Sequence, residues 1–411
     1  VEMKFNKILT GAVLSALTLT VNAAPTNQEI FDMMQEMKTE IKNLKKENSQ
    51  LKGTVEEVAV ATDEAIKAQV SLFNKTSIGG YGELHYNGLD DQKGTSDLDQ
   101  IDFHRFVLFI NHEYSDKLRF FSELELEHSI AGDDKPGEIE LEQAYIQYDL
   151  TNDTTVSAGL FLIPVGIMNE THEPPTFYGV ERNPVEKNIV PVTWWAGGAM
   201  VTHQITDGLT LDLAGHSGLK ATDGKYKPRD GRQKVGNATA KTGAVTARVK
   251  YTAIPGLELA GTVNYQEDFG QELLANVGSA TLYEAHAVYT KDQFSLRALG
   301  AWWDIDGSAV SDDAADLQYG FYIEPSFRFT AAGEDIGVFA RYNQYDNAAG
   351  DGNSISTGVL ATDTQIEQID IGVNWWIDKD VVVKVDYQDQ SVGDGTSKEL
   401  DGFNVGIGYQ F

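Results

Sequence analysis

The sequence predicts an all-β protein, a 16-stranded antiparallel transmembrane β-barrel preceded by a long N-terminal coiled-coil helix. Three observations predict it. From about residue 77 to Phe411 apolar and polar residues alternate with a period of two. The connections between the alternating segments are short and long by turns, the layout of a closed membrane barrel. Before residue 77 the apolar period is three and a half instead. Composition agrees: 39 glycines, 17 tyrosines, 18 phenylalanines and 6 tryptophans suit a turn-rich all-β chain. The 411 residues carry 62 acidic and 32 basic side chains, a net charge of −30, which argues against phosphate-backbone binding and hence against a nucleic-acid partner. Cysteine is absent, so a disulfide framework, a thiolate-held metal and a cysteine nucleophile are excluded.

The elements follow in chain order. Lys4 and Lys7 precede an apolar run over residues 8–21, and Val21-Asn22-Ala23 places small residues where a signal peptidase reads. Residues 1–23 are therefore expected to be a secretory leader, the run being shorter than the ~20 residues of a spanning helix. Residues 24–76 are expected to form a periplasmic coiled coil. Ile30, Met37, Leu44, Leu51, Val58, Ala65 and Leu72 make one core row, and Met34, Ile41, Asn48, Val55, Thr62 and Gln69 the other.

Residues 77–411 are expected to form the barrel domain. Sixteen alternating segments run over about 77–88, 102–115, 117–129, 138–150, 154–163, 196–206, 209–219, 237–253, 257–268, 280–291, 294–305, 317–331, 336–347, 364–377, 381–391 and 398–411. In the last, Phe403, Val405, Ile407, Tyr409 and Phe411 share one face, with Asn404, Gly406, Gly408 and Gln410 on the other. Strands in lipid cannot leave edge amides unpaired, so the sheet must close. An even strand count puts both ends of the barrel on the short-turn, periplasmic side.

Sixteen strands enclose an aqueous channel rather than a packed core. On the inferred inner face stand Arg105, Arg119, Arg248, Lys250, Arg297, Arg328, Arg341 and Lys384, together with Glu123, Glu125, Glu127, Glu324, Asp370 and Asp386. The longest connection, residues 164–195, is rich in proline and apolar side chains and carries Glu170, Glu173, Glu181, Arg182, Glu186 and Lys187. It is expected to fold into the lumen as a constriction, with Glu170, Glu173, Glu181 or Glu186 near wall arginines and a mild cation preference, a lid over the external mouth being the competing reading. A basic cluster, Lys220, Lys225, Lys227, Arg229, Arg232 and Lys234, lies between the seventh and eighth strands, where it can recruit anions or bind lipopolysaccharide phosphates. No catalytic motif stands out. The eight histidines show no metal-ligand spacing, and no cofactor is expected.

Three stretches around the long loop, Gly159-Leu-Phe-Leu-Ile-Pro-Val-Gly166, Phe177-Tyr-Gly-Val-Glu-Arg-Asn-Pro184 and Ile189-Val-Pro-Val-Thr-Trp-Trp-Ala-Gly-Gly198, resemble the phosphate-selective porin O and P family. The leader, the strand count and the terminal Phe411 resemble Gram-negative outer-membrane porins more widely. The resemblance implies a homotrimer in outer-membrane lipid and lipopolysaccharide, each subunit passing small hydrophilic solutes or ions by passive diffusion. Phosphate or anion selectivity is the alternative it carries, and an envelope tether built on the coiled coil is a second.

Overall fold

The computed structural model describes residues 26–94, 96–130, 132, 134–350, 364–393 and 398–411. The expected leader lies outside the described residues. The chain divides into two units, residues 1–73 and 74–411.

The first unit contains helix α1 (Asn27–Asn74). At 1.5 Å per residue its 48 residues reach about 70 Å. Met34, Met37, Ile41, Leu44, Leu51, Val55 and Val58 of the heptad rows are all exposed along it. The helix lies within the expected residues 24–76.

The second unit is a closed barrel of sixteen antiparallel strands. They are β1 (Thr76–Asp91), β2 (Leu98–Ser115), β3 (Leu118–Glu127), β4 (Ile139–Asp149), β5 (Thr154–Leu162), β6 (Trp195–Thr206), β7 (Leu209–Ser217) and β8 (Gly243–Tyr251). The second half comprises β9 (Leu257–Gln266), β10 (Ala280–Lys291), β11 (Phe294–Ile305), β12 (Leu317–Ala331), β13 (Glu334–Asp346), β14 (Ile366–Asp378), β15 (Val381–Val392) and β16 (Leu400–Gln410). Each strand pairs with its sequence neighbours, and β1 closes on β16 from Tyr81 opposite Gln410 to Asp91 opposite Leu400. The closure is sealed where Phe411 exchanges backbone bonds with Gly80, at 3.0 and 2.9 Å. No ladder edge is left, as a sheet in hydrocarbon requires.

The surface is arranged inside out. On β14, Ile369, Ile371, Val373, Trp375 and Ile377 are exposed, whereas Asp370 and Asn374 between them are buried. The same alternation holds on β16, where Val405 and Ile407 face out and Asn404 faces in. Continuous outward apolar rows suit a hydrocarbon solvent and not water, where each exposed Å² of such surface costs about 25 cal/mol. Connections β2–β3, β4–β5, β6–β7, β8–β9, β10–β11, β12–β13 and β14–β15 are the short ones. Those on the opposite end are long.

The boundaries of β10, β11 and β12 coincide with those read from the sequence, and β8 differs most. It begins at Gly243 instead of about 237. Just before it, Thr242 donates from its backbone N–H to Gln271 Oε1 at 3.2 Å and from its hydroxyl to the Asp268 carbonyl at 3.0 Å. These local bonds take the place of ladder pairing.

Candidate functional site within the barrel

The connection from β5 to β6 docks on inward-facing wall residues. Its apolar side chains Ile163, Val165, Ile167, Phe177, Val185, Ile189, Val190 and Trp194 are buried in one cluster with Leu282 of β10, Leu299 and Trp303 of β11 and Tyr322 of β12. Prolines mark the turns of this segment: Pro174 and Pro175 open a 3-10 turn (Pro174–Thr176), and Pro184 opens helix α2 (Pro184–Asn188). Asn183 caps α2 by accepting from Val185 and Glu186 N–H at 2.9 and 3.2 Å. A proline at the first helical position suits this start, since its missing N–H would have no helical partner.

Polar bonds fix the loop to many strands. Asn374 Nδ2 donates to the Phe177 carbonyl (3.1 Å) and Lys384 Nζ to that of Gly179 (2.9 Å). Val180 N–H donates to Asp386 Oδ2 (2.6 Å), and Trp303 Nε1 donates to the Ile189 carbonyl (2.8 Å). Two wall glycines make room. A Cβ at Gly408 would lie 2.2 Å from Pro174 Cβ, and one at Gly320 would lie 2.8 Å from Val185 Cγ1. An inner face with no side chain lets the loop backbone approach closely.

The wall cations expected from the sequence are mostly tied down. Arg105 contacts Glu83 at 2.7 Å and Glu125 at 3.4 Å. Arg341 contacts Asp370 at 2.9 Å and Glu324 at 3.2 Å. Arg248 holds Asp212 at 2.8 Å and also Glu170 of the loop. Arg119 binds Gln147 and Asp149 near the short turns. Arg328 pairs with Asp335 at 2.9 Å and lies over the Trp376 ring. Arg297 donates to the Thr176 carbonyl at 2.8 Å, and Lys384 sits 3.5 Å from the centre of the Phe177 ring. Lys250 stands half-buried on β8 two residues beyond Arg248.

The loop carboxylates divide among different tasks. Among the described residues, only Glu170 of these meets a wall arginine, Arg248. Glu181 accepts from Asn87 Nδ2 at 3.0 Å and lies 3.0 Å from His85 Nδ1. Burial acts to raise the Glu181 carboxyl, but the hydrogen bond and charge of His85 outweigh it and hold the group well below the usual carboxylate range. Of the four glutamates the sequence offered for the wall arginines, Glu186 is turned elsewhere. It is fully buried and accepts from Ile167 N–H (2.9 Å), Met168 N–H (2.6 Å) and Tyr322 hydroxyl (2.7 Å). Burial raises its carboxyl above the ordinary value. Glu173 uses its carbonyl to accept from Thr176.

Arg182 and Lys187 open instead onto a chamber of about 370 Å³. Arg229 and Arg232, from the connection between β7 and β8, join them there, with Arg105, Lys234, Glu83, Glu127, Glu140 and Glu181 also in the lining. Arg229 donates to the Lys187 and Val192 carbonyls and Arg232 to those of Arg229 and Thr193. Among the described residues, none of Arg182, Lys187, Arg229 and Arg232 has a carboxylate within ion-pair distance. Arg182 Nε and Nη2 are buried and without a hydrogen-bond partner. Burial, and then the charges of Arg232, Arg182 and Arg105, push the Arg229 guanidinium down to about 9. That crowding marks a local excess of positive charge in a chain whose net charge is −30.

Sequence reasoning missed one further group. His104 and His128 both turn their Nδ1 atoms to Asp102, at 2.9 and 2.8 Å, and His85 stacks on His104 with ring centres 4.9 Å apart. Asp102 and His104 stand two apart on β2, and strand pairing with a bulge at His104 brings His85 and His128 to them.

No family model matches the chain. It is 28% identical over 358 residues to an uncharacterized protein of Aquifex aeolicus (strain VF5), a match covering 82% of this chain and 80% of that protein. Among solved structures it resembles the anion-selective porin from Comamonas acidovorans (TM-score 0.56, 14% identity, 82% of this chain and 99% of that one). It also resembles OprB of Pseudomonas putida (0.57, 11%, 82% and 94%). The trimer form of the outer-membrane protein OmpT of Vibrio cholerae is similar too (0.52, 11%, 82% and 100%). At these identities the likeness is one of fold.

Proposed function

We propose that the protein is an outer-membrane porin that passes small hydrophilic solutes and ions by passive diffusion. One observation carries the reading: a closed sixteen-stranded barrel with apolar outward rows and a charged inner wall, crossed by the long connection after β5. A wall of that size leaves an aqueous lumen, and the docked segment 163–194 narrows it. Glu170, Glu173, Glu181, Arg182, Glu186 and Lys187 then belong to the constriction loop, and the eight wall cations to the pore lining. Both ends of the barrel lie on the short-turn side, so the segment before residue 77 faces the periplasm. The exposed heptad rows of α1 support a coiled coil, and the trimeric form of a similarly folded outer-membrane protein supports a homotrimer. In this reading residues 1–23 are the leader, and outer-membrane lipid and lipopolysaccharide surround the barrel.

The chamber favours a second, finer reading, that the pore prefers anions. Four loop cations without carboxylate partners stand there, while most wall cations are neutralised. Fixed charges outweigh distant ones, since exposed charge is screened over about 8 Å at physiological salt. Single-channel recording with reversal potentials in a salt gradient tests both readings. Stepwise conductance supports the porin, and a reversal potential on the anion side supports the finer claim. Conductance by a barrel freed of α1 distinguishes the porin from an envelope tether.

A further inference from the structure

We propose that Asp102, His104 and His128 form a site for a divalent transition-metal ion of the imidazole-binding kind, such as zinc, cobalt or nickel. The three residues come from β2 and from the connection that follows β3. The β2–β3 ladder brings them together: Arg105 pairs with Glu127, and the next residue, His128, donates its N–H to the His104 carbonyl at 3.1 Å. A bulge re-aims the second ligand. The register of β2 against β1 runs from Arg105 opposite Glu83 to Phe103 opposite Leu84, leaving His104 as the extra residue. His128 adopts a left-handed backbone, φ 51°, with its ring directed back to the strand.

The geometry is that of a small convergent donor set. His104 Nδ1 lies 2.9 Å from Asp102 Oδ2, and His128 Nδ1 lies 2.8 Å from the same oxygen. One ligand atom from each residue falls within 4.8 Å of the others. Around a tetrahedral ion with bonds of about 2.0–2.1 Å, neighbouring ligands stand roughly 3.3 Å apart. Spreading the present contacts by about half an ångström is within reach of side-chain rotation. Two of the three donors are imidazole nitrogens, which suits zinc, cobalt or nickel and not calcium or magnesium, whose shells are built from oxygen. His104 and His128 also line the 370 Å³ chamber, which leaves a fourth position open to water or solute. Arg105, next to His104 in the chain, is offset by Glu83 and Glu125, and His85, stacked on His104, lies between the carboxylates of Glu83 and Glu181.

The test is metal binding by the full-length folded protein in detergent, a readout that does not depend on conductance. Co²⁺ is the optical probe and Zn²⁺ the competitor. The expected result is one Co²⁺ per chain with a tetrahedral absorption spectrum, displaced by Zn²⁺, with at least tenfold weaker binding in Asp102→Asn and in His128→Ala. Should either variant fail to fold by heat-modifiability, the wild type decides. Bound Zn²⁺ should then protect His104 and His128 from imidazole acylation, read by peptide mass spectrometry, while exposed His203 stays reactive. Absence of saturable Co²⁺ binding, binding unchanged by both substitutions, or no protection of His104 and His128 would overturn the proposal and leave a hydrogen-bonded wall cluster.

Discussion

Replacing Glu186 by alanine should release the loop after β5 from its wall. The carboxylate accepts three hydrogen bonds, two of them from the buried N–H groups of Ile167 and Met168. Burial favours the neutral carboxyl, whose bonds contribute about 0.5–1.5 kcal/mol each, and truncation also leaves the two buried N–H groups unpaired at about 1–3 kcal/mol each, part of which is recovered as the undocked loop meets water. A net loss of about 3 kcal/mol follows, roughly a hundredfold shift toward the undocked loop. Glu186→Gln keeps an acceptor for these donors and should stay near wild type. The pH dependence has a definite sign. Burial raises Glu186 above its unfolded value, so its contribution is full below the ordinary carboxylate range and is lost as pH rises through the raised value. Single-channel recording and limited proteolysis of segment 163–194 provide the assay. Glu186→Ala should show larger, noisier conductance steps and faster cleavage. Wild type should move in that direction as pH rises, and Glu186→Gln should not. Wild-type conductance and protease resistance in the alanine variant would refute the reasoning.

Removing two loop charges with Arg182→Gln and Arg229→Gln should move the reversal potential toward cations. A single charge about 7 Å from the solute path is worth roughly 0.6 kcal/mol even at the dielectric of water, so a change of about threefold per charge in the permeability ratio is expected. Phe411→Asp should lower the yield of heat-modifiable barrel, because the Phe411 backbone seals β1 to the C-terminus and its ring lies against Gly80. Deleting residues 28–74 behind an intact leader should leave a conducting barrel, since the strands close on one another without α1. Loss of conductance in correctly inserted protein would argue against that separation.

The barrel was legible in the sequence because lipid and lumen impose opposite demands on alternate residues. The outward row of Ile369, Ile371, Val373, Trp375 and Ile377 needs no partner to be recognised. Prolines and apolar side chains likewise marked residues 164–195 as one ordered connection. Pairings across strands were illegible, because they depend on register. Nothing local to Arg105 shows that Glu83 and Glu125 flank it, or that Asp370 neutralises Arg341. The role of Glu186 was hidden for a related reason. Its spacing from Arg182 and Lys187 looks like a charged loop, yet the helical turn of α2 directs it to Tyr322. Asp102 and His128 stand 26 positions apart and meet only through the β2–β3 ladder and a bulge at His104.

In the proposed function this barrel is an open conduit whose selectivity is set by loop cations. Reversal potentials of the purified full-length protein in planar bilayers under a salt gradient test it most directly. The expected result is discrete conductance steps with a reversal potential on the anion side, despite the net charge of −30. Folded, inserted protein that gives no steps would contradict the conduit, and steps with a cation-side reversal would contradict the role assigned to Arg182, Arg229 and Arg232.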